Sequence, residues 1–278
     1  VELAVLAEEL GWDGVYLWDH VLYHDPQWNV VNPVAVLGAI AARTSRVRLG
    51  VLMTALPRRR VQIVARETAT LDVLSGGRLV FGAGLGSMDA EYAAFGEDPD
   101  LRIRAARLDE SLDALVALWS GEPVSFPGRH ITVAGEAGVA VRMLPTPVQR
   151  PRIPIWCPGK WPNRAGFRRA ARWDGVMPTF VEYGRDKPVP PEEFAAAVSF
   201  VARRRMAGKR GSLDGFDVAL EGWTEPDTAA SIIAPYAEAG LTWWVEAMGW
   251  WRGGPGPARE RIAAGPPCSP HLPGSGPM

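Results

Sequence analysis

A chain of 278 residues with 47% hydrophobic and 22% charged side chains has the make-up of an ordinary globular protein and the length of one large α/β domain. A net charge of -1 leaves no basic face for nucleic acid, and the two cysteines, Cys157 and Cys268, lie far apart without CxxC spacing, which argues against a disulfide scaffold or a zinc site. No run of 18 apolar residues suggests a membrane span and no charged-then-apolar leader suggests export, so a cytoplasmic protein with no membrane or nucleic-acid partner is expected.

Helix-like and strand-like patterns alternate from the start. Leu3, Leu6, Ala7 and Leu10 form a helical stripe that Gly11 closes. The strand Val15–Trp18 follows and runs into Asp19 and His20. Asn32-Pro33 reads as an N-cap with proline in the first turn, opening a helix with Val34, Leu37, Ile40 and Ala41 on one face. Val47–Met53 is the next strand and ends at Thr54. A helix through Val64, Ala65, Thr68 and Leu71 stops at Ser75-Gly76-Gly77. Leu79–Phe81 then leads into the glycine run 82–86, and Leu108, Leu112, Leu115, Val116 and Trp119 mark a long amphipathic helix.

From about 121 to 152 prolines and glycines break the alternation around two short extended pieces, 124–126 and 130–133, which read as an inserted hairpin or loop. Strands at Ile153–Trp156, Gly175–Met177, Phe216–Leu220 and Trp243–Glu246 then alternate with helices near 167–172, 194–201, 229–237 and 257–264. The proline-rich tail 265–278 is expected to be disordered. One domain over 1–264 is expected. Trp12-Asp13-Gly14-Val15 recurs as Trp173-Asp174-Gly175-Val176 at the same helix-to-strand junction, consistent with a repeated βα unit. Seven strands result, one fewer than a TIM-type barrel needs.

A strand of an α/β protein is buried on both faces and its carboxyl end opens onto the crevice where such enzymes keep their chemistry. Asp19 and His20 stand at such an end. The imidazole can serve in proton transfer or can be satisfied by a neighbouring carbonyl. Asp19 can orient it or bond a backbone amide. His24 invites an HxxxH metal reading, but no third ligand stands at metal spacing, and no metal is expected. Arg58-Arg59-Arg60 reads as a solvated basic turn or as attraction for a phosphate or acidic substrate. The paired tryptophans 243–244 and 250–251 suit core packing or an aromatic wall for a flat ligand. Gly82-Ala-Gly-Leu-Gly86 lacks the spacing and the following helix of a dinucleotide fingerprint.

Several pieces, in order, carry a resemblance over nearly the whole chain: Gly-Trp-Asp-Gly-Val with Trp-Asp-His at 11–20, Ala-Arg-Glu-Thr-Ala-Thr-Leu-Asp with Ser-Gly-Gly-Arg at 65–78, the glycine run leading to Glu91 and Phe95-Gly96, Arg-Leu-Asp-Glu at 107–110, Pro145 through Trp156, and Trp173-Asp174-Gly175. The chain resembles the luciferase-like monooxygenase family. That resemblance implies a (β/α)8 TIM-type barrel, here with the first strand missing and an insertion between strands 4 and 5. It implies an oxidoreductase using coenzyme F420 for hydride transfer or reduced FMN with oxygen for monooxygenation of a small organic substrate. His20 and Asp19 would be catalytic. Thr54, Gly84 and Gly86 would lie against the ring system, and Gly159, Lys160 and Thr179 would face the cofactor phosphate, with Pro158 departing from the family's paired glycines. The Asp-His pair, Thr54, Thr179 and a GC-rich coding bias favour F420. Relatives often dimerise, so a homodimer is implied. A non-catalytic flavin-binding or truncated inactive relative is the alternative.

Overall fold

The computed structural model describes residues 1–23, 25, 27–136, 139–184 and 187–267; His24, Cys268 and the rest of the tail lie outside the described residues. The chain divides into two compact units, one comprising residues 13–154 with Val1, the other residues 2–12 with 155 onward.

Helix α1 (Glu2–Glu9) belongs to the second unit. The first unit begins with β1 (Gly14–Leu17), α2 (Pro33–Arg43), β2 (Arg48–Ala55) and a 3-10 turn (Leu56–Arg58). It continues through α3 (Val61–Ser75), β3 (Leu79–Gly84), the single turn α4 (Ala90–Ala93) and α5 (Leu101–Trp119). β1, β2 and β3 pair in parallel in chain order, with a register shift in β2 between Val51 and Thr54. The sequence punctuation works as expected here. Asn32 caps α2 through its side-chain oxygen, which accepts from the amides of Val34 and Ala35. Gly76, at φ 66°, ends α3 in the left-handed conformation that a glycine adopts without a Cβ clash. Arg78, just beyond, donates to the carbonyls of Ala41, Thr44 and Val47, closing the C-terminus of α2.

The segment 121–152 holds the hairpin β4 (Phe126–Pro127) and β5 (Thr132–Val133), paired antiparallel. Glu110 of α5 accepts from the amides of His130 and Ile131, and buried Asp72 of α3 accepts from those of Val148 and Gln149. The insertion is therefore tied to helices of its own unit at its hairpin turn and near its C-terminal end. Leu37, Ile40, Val64, Leu71, Leu108, Leu112 and Leu115 fill the core beneath, each 4% exposed or less. Burial of each such side chain stabilises by about 1.5–3 kcal/mol.

The second unit runs β6 (Ile155–Trp161), α6 (Arg164–Ala170), β7 (Gly175–Phe180), α7 (Pro191–Ala207), β8 (Asp217–Gly222), α8 (Ala229–Glu238), β9 (Trp243–Glu246) and α9 (Pro255–Ala263). Its four long strands are again parallel and paired in chain order. β6 extends five residues beyond the Trp156 end that the sequence suggests. The strand passes through Pro158 and Gly159 and pairs with β7 over that length. Gly159 is required by packing: a Cβ there would stand 2.7 Å from the Phe167 ring of α6. The repeated Trp-Asp-Gly motif also has a concrete role, since Asp174 accepts the amide of Ile155 and a Cβ at Gly175 would strike the Trp156 ring. Seven parallel strands alternating with helices make this an α/β protein. No helix among the described residues is long and apolar enough to cross a membrane.

Candidate active site

At the carboxyl ends of β1, β2 and β3 the first unit gathers a cluster of buried charges. β1 stops at Leu17, and the chain turns so that Asp19 Oδ2 accepts the amide of Ala55 at 3.0 Å, tying the end of β1 to the end of β2. The 3-10 turn after β2 presents Arg58, whose Nη2 donates to the Asp19 carbonyl and whose Nη1 donates to Glu91 Oε2 at 2.8 Å. Arg59 reaches Asp19 Oδ1 at 3.3 Å and Glu67 of α3 at 2.9 Å. Both guanidiniums are thus held in ion pairs. They are neither a solvated turn nor free phosphate ligands.

Glu91 is the hub. Its side chain is 1% exposed. Oε1 accepts from the amides of Val21 at 2.5 Å and Leu22 at 3.1 Å, while Oε2 takes Arg58 and lies 3.3 Å from His20 Nδ1. Burial pushes the Glu91 carboxyl up, but the two amides and the Arg58 guanidinium outweigh it and hold the group below the ordinary glutamate range. Glu91 is therefore an anion that fixes the imidazole through Nδ1. His20 is 21% exposed at its side chain, and its Nε2 edge has no hydrogen-bond partner among the described residues. Of the two readings of Asp19, the geometry places it on a backbone amide. The carboxylate in contact with the imidazole is that of Glu91, 71 positions along the chain.

What puts Glu91 there is the turn after β3. Gly84 ends the strand opposite Ala55, and Gly86 has φ 76°, with the position of a Cβ only 3.0 Å from the Tyr92 ring. Tyr92 donates its hydroxyl to the Leu85 carbonyl at 2.7 Å, and burial raises that hydroxyl so that it remains a donor. Arg104, 1% exposed, lies 4.5 Å over the Tyr92 ring and donates to the carbonyls of Leu85, Gly86 and Pro99. Arg104 and Tyr92 carry no motif of their own, so sequence reading passes over them. The one available signal for Glu91 was its place after the glycine run.

Thr54 lies in β2 below this cluster, 5% exposed, lining a cavity of about 20 Å³ with Val34, Leu37, Val51 and Thr68, room for about one water. Gly159, Lys160 and Thr179 belong to the second unit, where Lys160 pairs in register with Thr179 across β6 and β7 and both are exposed. The structure thus brings together Asp19, His20, Gly84 and Gly86 in the first unit, with Thr54 beneath them, and Gly159, Lys160 and Thr179 in the second. No group of three metal-binding side chains occurs among the described residues.

Comparison with known proteins places the chain among known relatives. The family model for luciferase-like monooxygenases matches residues 1–224. A protein named F420-dependent glucose-6-phosphate dehydrogenase from Rhodococcus hoagii (strain 103S) is 36% identical over 286 aligned positions, covering 87% of this chain and 85% of that protein. In other relatives of the same name the match is shorter: with that of Amycolatopsis mediterranei (strain U-32) it is 37% identical over 133 residues, so this chain spans about 40% of the relative's length. Among solved structures, the coenzyme F420-dependent tetrahydromethanopterin reductase from Methanopyrus kandleri superposes with a TM-score of 0.74 at 20% identity, covering 95% of this chain and 92% of the other. The FMN complex of the oxygenating constituent of 3,6-diketocamphane monooxygenase from Pseudomonas putida gives 0.73 at 14% identity, covering 98% and 92%. At these identities the two structures speak for the fold alone.

Proposed function

Since the chain belongs to the luciferase-like monooxygenase family, a family of oxidoreductases, we propose that it is an F420-dependent enzyme moving a hydride between the cofactor and a carbon that bears oxygen. The observation that carries this reading is the imidazole of His20, fixed at Nδ1 by an ionised Glu91 and offering Nε2 at a half-buried strand end.

The residues present fit such a group. His20 supplies a proton acceptor or donor beside an aromatic, apolar surface, as hydride chemistry at an alcohol or carbonyl carbon requires. Deazaflavin, when bound, accepts or returns the hydride. His20 Nε2 takes the proton that an alcohol hydroxyl loses as its carbon becomes a carbonyl, and returns it in the reverse direction. Glu91 stabilises the imidazolium formed in that step and keeps the ring from turning, while Asp19 positions the segment by holding Ala55. Gly84 would leave the end of β3 open to a flat ring, with Gly86 shaping the turn behind it and Thr54 of β2 as a further candidate. Lys160 and Thr179, with the neighbouring Gly159, are the second unit's candidates for the phosphate. The membership also supports the finer fold reading, a (β/α)8 TIM-type barrel.

Titration with F420, followed by quenching of its fluorescence, tests the proposal together with His20→Asn. Micromolar binding by both proteins is expected, with turnover of glucose 6-phosphate or of small secondary alcohols lowered about a hundredfold or more in the variant. Absence of F420 binding overturns the reading, and so does unchanged turnover in His20→Asn. Preferential binding of FMN would point to oxygen chemistry. Binding without turnover would mark a non-catalytic relative.

A further inference from the structure

The segment that follows β1 carries more aromatic surface than the proton step uses. Trp18 and Tyr23 stack with ring centroids 6.0 Å apart and planes 27° apart, and Tyr23 and Trp28 stack at 5.5 Å and 28°. The His20 ring leans on the middle member, 4.9 Å from the Tyr23 centroid. Three rings in near-parallel succession form a ladder with the imidazole beside its centre. The ladder is not sealed inside the protein: Trp18 is 39% exposed and Trp28 38%, and neighbouring Val21, Leu22 and Val30 are each at least 40% exposed. An apolar surface of this kind, left in water beside a titratable group, is characteristic of a ligand site.

Charge decides what kind of ligand. From 18 to 31 the sequence has no lysine or arginine. Its acidic residues are Asp19, buried against Ala55 and Arg59, and Asp25, which accepts the Gln27 amide. The nearby Arg58 and Arg59 are bound to Asp19, Glu91 and Glu67. A phosphate placed on the ladder would meet no uncommitted guanidinium or ammonium of this segment, whose only charge outside the buried cluster is the Asp25 carboxylate. A neutral ring would gain stacking and burial with no charge to compensate.

We propose that Trp18, Tyr23 and Trp28 hold the substrate's carbon skeleton beside His20, and that the substrate is an uncharged cyclic alcohol or ketone. This deepens the hydride-transfer reading and rests on it for the reactive group, though the binding claim stands on the ladder alone.

The probes are benzyl alcohol, cyclohexanol and glucose 6-phosphate, titrated into the cofactor-free protein and followed by saturation-transfer NMR and tryptophan fluorescence. The variants are Trp18→Leu and Trp28→Leu, with Trp28→Phe as the conservative control. Both alcohols should bind the wild-type protein, and glucose 6-phosphate should compete with neither. Each leucine variant should raise the benzyl alcohol dissociation constant about tenfold, a loss within the range of one aromatic contact. Trp28→Phe should recover most of it. Urea midpoints and F420 quenching should stay at wild-type values in all three. Glucose 6-phosphate displacing the alcohols from the ladder would overturn the proposal, as would leucine variants that bind benzyl alcohol unchanged. If F420 fails to bind while the alcohols still respond to the tryptophan variants, the redox reading falls and the ladder site stands. If F420 binds and the alcohols show no response, the ladder site falls and the redox reading stands.

Discussion

Asp19, Glu91, Arg58 and Arg59 in the first unit, and Glu246, Arg252 and Arg261 in the second, are the same kinds of side chain taken out of water. The two groups differ in what they leave over. In the second unit Glu246 accepts from the Thr224 amide and hydroxyl, from Trp244 Nε1 and from both arginines. Arg252 and Arg261 also donate to the carbonyls of Ala247, Thr224 and Gly265. Tryptophans cover them, Trp223 4.5 Å from Arg252 and Trp12 5.2 Å from Arg261. That cluster closes on itself and contains no imidazole. In the first unit Glu91 binds an imidazole whose far edge is open. A buried ion cluster alone is therefore no candidate site; one aimed at a partly exposed imidazole is.

Breaking the closed cluster should have the largest effect. Glu246→Ala strands two arginines that are 9% and 4% exposed, at a cost of about 3–5 kcal/mol. Urea unfolding would measure the loss, and cofactor binding by the fraction still folded should be near normal. A variant as stable as the wild type would show that the arginines relax to water and would remove the contrast between the clusters.

Glu91→Gln sharpens the comparison from the other side. The amide keeps an acceptor for Val21 and Leu22 but meets Arg58 with a donor, which should cost about 1.5–3 kcal/mol. The pH dependence carries the finer information. The folded Glu91 lies below the ordinary range, so its contribution to stability is fully present above the unfolded value, about 4.3, and disappears as the pH falls through the folded value. Wild-type Tm should therefore fall more steeply below about pH 4.5 than that of the glutamine variant, and turnover in the variant should drop about tenfold as the imidazole loses its anchor. Parallel pH profiles of Tm would mean that the fold does not lower the pKa of Glu91.

The contrast also explains which features the sequence made visible. Alternation located all seven parallel strands because each is a short apolar run bounded by turn residues, and the caps at Asn32 and Gly76 are local chemistry. His20 stood out because it follows such a run directly. The partner of His20 did not, since Glu91 reaches it from a one-turn helix after β3 that only tertiary packing positions. The arginines at 58 and 59 looked like a solvated turn because nothing local reveals the carboxylates waiting for them. The apolar run ending at Trp156 was too short a guide in the opposite sense, since β6 continues to Trp161 through its pairing with β7. The tryptophan-rich end, open to packing and ligand readings, uses Trp243 on Asp217 and Trp244 on Glu246.

Gly86 separates a backbone requirement from a ligand requirement, with the smallest expected effect. Its φ of 76° and the 3.0 Å approach to Tyr92 account for the glycine through the fold itself. Alanine there should cost about 1–2 kcal/mol in left-handed strain, visible as a lowered urea midpoint. Because Tyr92 and Arg104 brace the same turn, the strain should reach Glu91, one residue before Tyr92, and loosen its hold on His20. Turnover should then fall several-fold while F420 affinity changes by less than about threefold. If affinity collapses while the urea midpoint is unchanged, Gly86 serves the approach of the ring, and the role assigned to its backbone conformation is wrong.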